Sequence, residues 1–237
     1  MDLAWVLLEK NILKEWDSII ADKQTRGKGQ HNREWISAKG NLYGSIILPN
    51  IEELSARWQS FIPLTCGYVI TQTLKLFGID SKLKWPNDII IGNRKIGGIL
   101  IEKKNKTIVG VGLNFTTYPS DEKLRDEFSL KATSIVKEGF NLYIEEFWIK
   151  FILLLKNFFY NIIYTNNEEE ENEFIKLINS KFLFINQKVK VFINKDDVKK
   201  GFFKGISNDG GIIISGDSEE IIYSGRLVPD INNLTFK

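Results

Sequence analysis

Residues 82–115 read KLKWPNDIIIGNRKIGGILIEKKNKTIVGVGLNF. Four short β-prone runs are packed into this stretch: Lys82–Trp85, Ile89–Ile91, Lys95–Glu102 and Thr107–Phe115. Turn signals separate them. Pro86 breaks the first pair, Gly92-Asn93 marks a hairpin, and Lys103-Lys104-Asn105-Lys106 is a solvated turn. Strands in direct succession leave no room for crossover helices, so they pair mainly antiparallel. Apolar residues on both sides of the run then predict helices on one face of the sheet.

Outward from this stretch the pattern turns helical. The spacing of Leu7, Leu8, Ile12 and Leu13 predicts a helix over Leu3–Trp16, and Asp17–Asp22 reads as a strand. Leu42–Leu48 is a further strand, and Ile51–Phe77 a long helix stopped by Gly78. Leu142–Phe182 reads as helical, in two pieces broken near Thr165-Asn166-Asn167, with Glu168–Glu171 as a helix start that suits the dipole. From Leu183 the texture changes to short strands at Val189–Ile193, Gly201–Ile206, Gly211–Ser215 and Glu220–Ser224, separated by Gly, Asn and Asp turns. That spacing predicts a small β-barrel of its own. The expected division is residues 1–182 and 183–237.

Composition narrows the chemistry. The chain has 237 residues, with Lys+Arg 32 against Asp+Glu 30 and a net charge of +2. Such balance gives no general case for nucleic-acid binding, so any basic site is local. One cysteine, Cys66, and one histidine, His31, exclude an internal disulfide and a Cys/His zinc site. Cys66 sits in an apolar stretch and reads as a buried, inert thiol. The apolar run 147–164 is interrupted by Lys150 and Lys156 and reads as a buried helix, not a membrane span. The N-terminus carries no secretory pattern, so a cytoplasmic location is expected.

Three segments carry candidate chemistry. In Gln24–Trp35, Gly27 and Gly29 let backbone approach a ligand, and Lys28 and Arg33 bring cations to the same loop, a combination suited to an anion. In Lys84–Asp88, a Pro-containing turn presents the carboxylate of Asp88, which offers oxygen ligands to a metal ion. Lys95 then opens a strand with Gly97 and Gly98 behind it, room for a flat ligand beside an ammonium. In Val109–Phe115, Gly110 and Gly112 make a smooth strand face that ends at Asn114, a donor and acceptor. Singly, each segment also reads as an ordinary turn, hairpin or packed strand.

Jointly, and in this order, they resemble the catalytic domain of biotin protein ligases. The resemblance rests on Arg33-Glu34-Trp35-Ile36-Ser37, Gly40-Asn41-Leu42-Tyr43, Lys84-Trp85-Pro86-Asn87-Asp88, Lys95-Ile96-Gly97-Gly98-Ile99-Leu100-Ile101-Glu102, Gly110-Val111-Gly112-Leu113-Asn114 and Ala132-Thr133-Ser134-Ile135. Near the C-terminus, Gly201–Ile206, Asp209–Ile213 and Ser224–Leu227 resemble the small SH3-like barrel that ends these enzymes.

The resemblance implies an α+β fold: a mixed, mainly antiparallel sheet with packed helices, of the class II synthetase-like type, plus the C-terminal barrel. It implies a two-step reaction with biotin and ATP as substrates and Mg²⁺ as cofactor. Biotin's carboxylate attacks the α-phosphorus to give biotinyl-5′-AMP, and a lysine of a biotin carboxyl carrier protein then takes the biotinyl group. Lys95, Lys28 and Arg33 are the implied catalytic residues. Gln24, Gly27, Lys28, Lys95, Gly98, Leu100 and Gly112 are implied for biotin. Arg33, Trp35, Asn87, Asp88, Lys95 and Asn114 are implied for ATP, with Trp35 stacking on adenine and Asp88 bearing on the metal.

Two departures stand out. Lys28 and Gln30 replace arginines of the family's loop, so weaker retention of the adenylate is expected. Met1 falls about where the Asn of a Ser-Thr-Asn motif is expected, so the strand before the first helix is missing and biotin binding is expected to suffer. No winged helix precedes the first helix, so no DNA partner is expected, and the lysine-interrupted run 147–164 gives no membrane partner; a homodimer is an option left open. The rival readings are a non-catalytic biotin- or carrier-binding remnant and a lipoate-type ligase.

Overall fold

The computed structural model describes all residues except 31–32, 52–55, 121–129, 164–167, 195 and 231–237. Its centre is a six-stranded sheet in the order β1-β2-β6-β5-β4-β3. The strands are β1 Ser18–Ala21, β2 Leu42–Ile47, β3 Lys82–Lys84, β4 Asp88–Ile91, β5 Arg94–Lys103 and β6 Thr107–Leu113. Every ladder between them is antiparallel, as short turns between successive strands require. Parallel pairing is limited to isolated bridges, Leu83 with Phe182 and Lys95 with Ala132, so the expected mixed sheet is antiparallel in its strands.

One face of this sheet carries Leu42, Ile46, Ile99, Val109, Val111 and Leu113. Three helices cover it: α2 (Ala56–Leu76), α3 (Ile144–Phe158) and α4 (Glu168–Lys181). Aromatic side chains fill the contact, with the Phe174 ring 4.5 Å from Phe158 and 5.8 Å from Trp58. The run read as a buried helix is α3 continued by a π-helical turn over Phe159–Ile163, and no helix among the described residues is long and apolar enough to cross a membrane. The break expected near Thr165-Asn166-Asn167 lies outside the described residues. Glu171 is not solvated as expected of that helix start: it is buried and accepts a hydrogen bond from Trp58 Nε1 at 2.8 Å.

The opposite face is open except at one end, where α1 (Asp2–Glu9) lays Ala4 and Trp5 against Ile47 and Ile108. Trp5 Nε1 donates to Glu102 at 2.7 Å and fixes the helix on β5. The first helix was expected to run to Trp16. It stops at Glu9 because Asn11 (φ 55°) and Trp16 (φ 68°) are left-handed, turning the chain back towards β1.

A second sheet of five strands has the order β10-β9-β8-β7-β11. These are β7 Lys188–Phe192, β8 Val198–Ile206, β9 Ile212–Ser215, β10 Glu219–Ile222 and β11 Arg226–Pro229. No ladder joins its edge strands β10 and β11 among the described residues, so the expected barrel is realised as an antiparallel sheet. Strand β11 escapes sequence reading because only Leu227 and Val228 carry an apolar signal between Gly225 and Pro229. The chain enters this sheet along the edge of the first, where Leu183 N donates to Leu83 O at 2.7 Å. This covers the β3 edge, and a single cluster of buried side chains runs from α2 to Val191, Phe203 and Leu227.

Candidate active site

The open face of the first sheet is built by register. One row of paired residues crosses all six strands: Lys84, Asp88, Gly98, Gly112, Tyr43 and Ala21. Residues of one row share a face, so two directly paired glycines lie between an acid–base cluster and a tyrosine. The next row, Leu100, Gly110 and Ser45, extends the same floor. Around it lies a cleft of about 720 Å³, lined by the floor, the 24–36 loop, and Phe192, Gly225 and Arg226 of the second sheet.

Lys95 reaches this face through a bulge. It stands three residues before Gly98, so strict alternation would send it to the helix side. The ladder between β4 and β5 slips between Ile89 and Ile90, which pair with Gly97 and Lys95 and leave Ile96 as the extra residue. The bulge buries Ile96 and turns Lys95 into the cleft. Segment 131–135 clamps this point, with Lys95 N donating to Lys131 O at 2.8 Å and Thr133 N to Lys95 O at 2.9 Å.

Lys95 Nζ lies 2.5 Å from Asp88 Oδ1, and Lys84 Nζ lies 3.3 Å from Asp88 Oδ2. Lys84 is only 7% exposed. Burial lowers its pKa, Asp88 partly restores it, and the neighbouring Lys95 lowers it again. For Asp88, burial works to raise the pKa, but the charges of Lys95 and Lys84 outweigh it and hold the carboxyl below its ordinary value. Two ammonium groups therefore share one carboxylate on the cleft floor, an arrangement that attracts anions. It does not suit a resident metal ion. Both Asp88 oxygens already face ammonium groups, and the described residues contain no cluster of three His, Cys, Asp or Glu side chains.

The loop bearing Lys28 and Arg33 is a small hairpin. Lys28 pairs with Glu34, Gly29 N donates to Arg33 O at 2.7 Å, and Trp35 N donates to Gly27 O at 2.9 Å. A Cβ on Gly27 would stand 2.3 Å from Trp35 O, so the fold-back requires glycine there. Gln24 accepts from Ser37 Oγ at 2.7 Å. Lys28 lies at the cleft edge, where it meets Asp2 at 2.5 Å with half its side chain exposed. Trp35 lies over the glycines, with Lys95 Nζ 5.4 Å from its ring centre.

The two asparagines line the cleft but brace it. Asn87 Nδ2 donates to Ile99 O at 2.6 Å, locking the turn that contains the cis Trp85–Pro86 bond to β5. Asn114 Nδ2 donates to Thr133 O at 3.0 Å, holding the segment that clamps Lys95. Of the residues implied for catalysis, biotin or ATP, all but Gly27 line the one cleft, and Gly27 closes its hairpin. Sequence reasoning passed over Lys84, Tyr43 and Arg226. Alternation in β3 could have revealed Lys84, since it shares a strand side with Lys82 but sits beside the Pro86 turn. Nothing local marks Arg226, which arrives from the second sheet.

With this geometry in place, similarity to known proteins becomes specific. Residues 1–114 match the biotin/lipoate A/B protein ligase family. The match covers just under half of the chain. Among solved structures, the biotin protein ligase from Aquifex aeolicus in complex with biotin and ATP superposes with a TM-score of 0.74 at 28% identity, covering 91% of this chain and 89% of that one. The bifunctional ligase/repressor BirA of Escherichia coli (strain K12) is 28% identical over 213 residues, 86% of this chain and 63% of the relative. Its namesake in Bacillus subtilis (strain 168) is 35% identical over 136 residues, 54% of this chain and 41% of the relative. The matches thus span about half the length of these two curated relatives. The Aquifex likeness covers 91% of this chain, so the shared α+β fold extends beyond residue 114.

Proposed function

We propose that this chain is an ATP-dependent biotin protein ligase, making biotinyl-5′-AMP and passing the biotinyl group to a lysine of a biotin carboxyl carrier protein. The observation that carries the reading is the row Lys84–Asp88–Gly98–Gly112, with Lys95 turned into it by the bulge. It sets a glycine floor, covered by the Trp35 ring, beside a pair of ammonium groups. A fused-ring acid fits such a site with its rings on the glycines and its carboxylate at Lys95.

In this reading the first step brings a carboxylate against a polyphosphate. Mg²⁺ enters with ATP as its counter-ion and screens that repulsion. Lys95 holds the carboxylate oxygen and the α-phosphate as charge shifts between them. Asp88 keeps Lys95 and Lys84 aimed. Arg33 and Lys28, released from Asp2, hold phosphate oxygens from the hairpin, and Arg226 does so from the second sheet. Gln24, Gly27, Gly98, Leu100 and Gly112 shape the biotin site; Asn87 and Asn114 hold the turn and clamp that border the nucleotide. The second step needs no protein nucleophile, because the adenylate is already activated. The carrier-protein acceptor and residues 183–237 as an accessory unit belong to the same proposal.

Biotin on a carrier domain, measured after incubation with Mg·ATP, tests it. Transfer that disappears in Lys95→Ala is the expected result. Lipoyl transfer in place of biotinyl transfer, or biotin binding without pyrophosphate release, would sink it.

A further inference from the structure

Helix α3 is apolar on two sides. Its inner side is complete: Phe147, Trp148, Phe151, Leu155 and Phe158 are buried. Trp148 anchors that side over the first two strands, with its ring in the space left by Gly44 and its Nε1 donating to Ser18 Oγ at 3.1 Å. On the opposite side stand Glu146, Ile149, Leu153 and Lys156, spaced three, four and three residues apart. That period lines them up as one seam along the helix. Ile149 is 57% and Leu153 61% exposed, so two large aliphatic side chains gain no burial from the described residues. Each end of the seam is charged and exposed. Glu146 pairs with Lys150 one turn on at 3.3 Å, a surface contact weak enough to be exchanged, and Lys156 lies 5.9 Å from the Trp16 ring. The seam is on the helix side of the sheet, and the cleft opens on the other face.

We propose that this seam docks on the same seam of a second copy of the chain, as an antiparallel helix pair about a two-fold axis. The order acid, aliphatic, aliphatic, base is self-complementary in that orientation. Antiparallel, Glu146 meets Lys156 of the partner subunit, Ile149 meets Leu153 of the partner subunit, and the axis repeats both contacts. In a parallel pair, acid would face acid and ammonium would face ammonium, which is repulsive. The charge order therefore selects both the occupant and its orientation. The helix has 15 residues, about 22 Å of seam. That is a small contact, so the dimer is reversible and depends on concentration. It leaves both clefts open and stands independently of the ligase reading.

Sedimentation velocity of the full chain, from micromolar to submillimolar concentration, tests it. The weight-average mass is expected to rise from 27.3 kDa towards twice that value. Leu153→Glu puts a charge into the aliphatic centre, and Lys156→Glu sets acid against acid at both ends. Each is expected to weaken association roughly tenfold or more. Glu146→Lys combined with Lys156→Glu reverses every charge pair and is expected to restore it. The substituted positions are exposed, so thermal melts by circular dichroism should report an intact fold in every variant. A chain that stays monomeric at every concentration overturns the proposal. So does association that persists unchanged in Leu153→Glu, which would put the contact on another surface. If the double change does not recover what Lys156→Glu loses, the antiparallel pairing is wrong.

Discussion

Lys95 is the residue on which most of the chemistry converges. Its ammonium is the part of the Asp88 pair left nearest the glycine floor, and its carbon stem adds little to the core. Lys95→Ala is expected to lower pyrophosphate release by about 10²-fold or more while the melting temperature changes little, because Lys84 still neutralises Asp88. Lys84→Ala differs: it removes a buried cation beside a buried carboxylate, and both stability and activity should fall. Cys66 stands at the other extreme. Burial pushes its thiol up to about 12, so at neutral pH it is a protonated, shielded group. A disulfide reagent should leave it unmodified in the native chain and titrate one thiol after denaturation. Rapid native labelling would show that the α2 packing is looser than described.

At the scale of an element, the bulge in β5 is the decisive device. Deleting Ile96 removes the bulge and leaves Lys95 two residues before Gly98, which strict alternation keeps on the cleft side. The expected outcome is retained activity together with a stability loss of about 2–5 kcal/mol from the vanished core side chain. Ile96→Val keeps the bulge, should cost only about 0.5–1.5 kcal/mol, and should retain activity. Denaturant melts beside pyrophosphate release separate these cases. An Ile96 deletion that folds but loses activity would show that Lys95 needs the bulge itself, and not only its side of the strand, to act. The hairpin loop is the second functional element, and its contact with Asp2 ties it to α1.

At the scale of the whole molecule, the cleft is completed only where the two sheets meet. Phe203 of β8 lies 5.3 Å from Phe182 at the end of α4, within the shared cluster of buried side chains. Phe203→Ala should cost about 3–5 kcal/mol, and both sheets should unfold in one calorimetric transition. Two well-separated transitions would instead make residues 183–237 an independent folding unit. Arg226→Glu is expected to raise the KM for ATP several-fold and leave the Kd for biotin unchanged, since it faces the charged end of the cleft and not the glycine floor.

What the amino-acid order determined by itself is local. The hairpin ladder of residues 82–115, the helices over 56–76 and 144–158, the inert Cys66 and part of the set of residues that share the cleft follow from period, turn chemistry and motif, which act over a few residues. Four outcomes were left to the tertiary structure. The first helix stops at Glu9 because the chain must turn back to pair β1 with β2. Lys95 faces the cleft because the β4–β5 register slips by one, and register is a property of two strands. Lys84 and Asp88 acquire their shifted protonation because burial and two neighbouring charges act together. Arg226 joins them because Leu183 docks along the β3 edge and carries the second sheet to the cleft mouth. Each of these depends on contacts between segments distant in sequence, where no local pattern can register them.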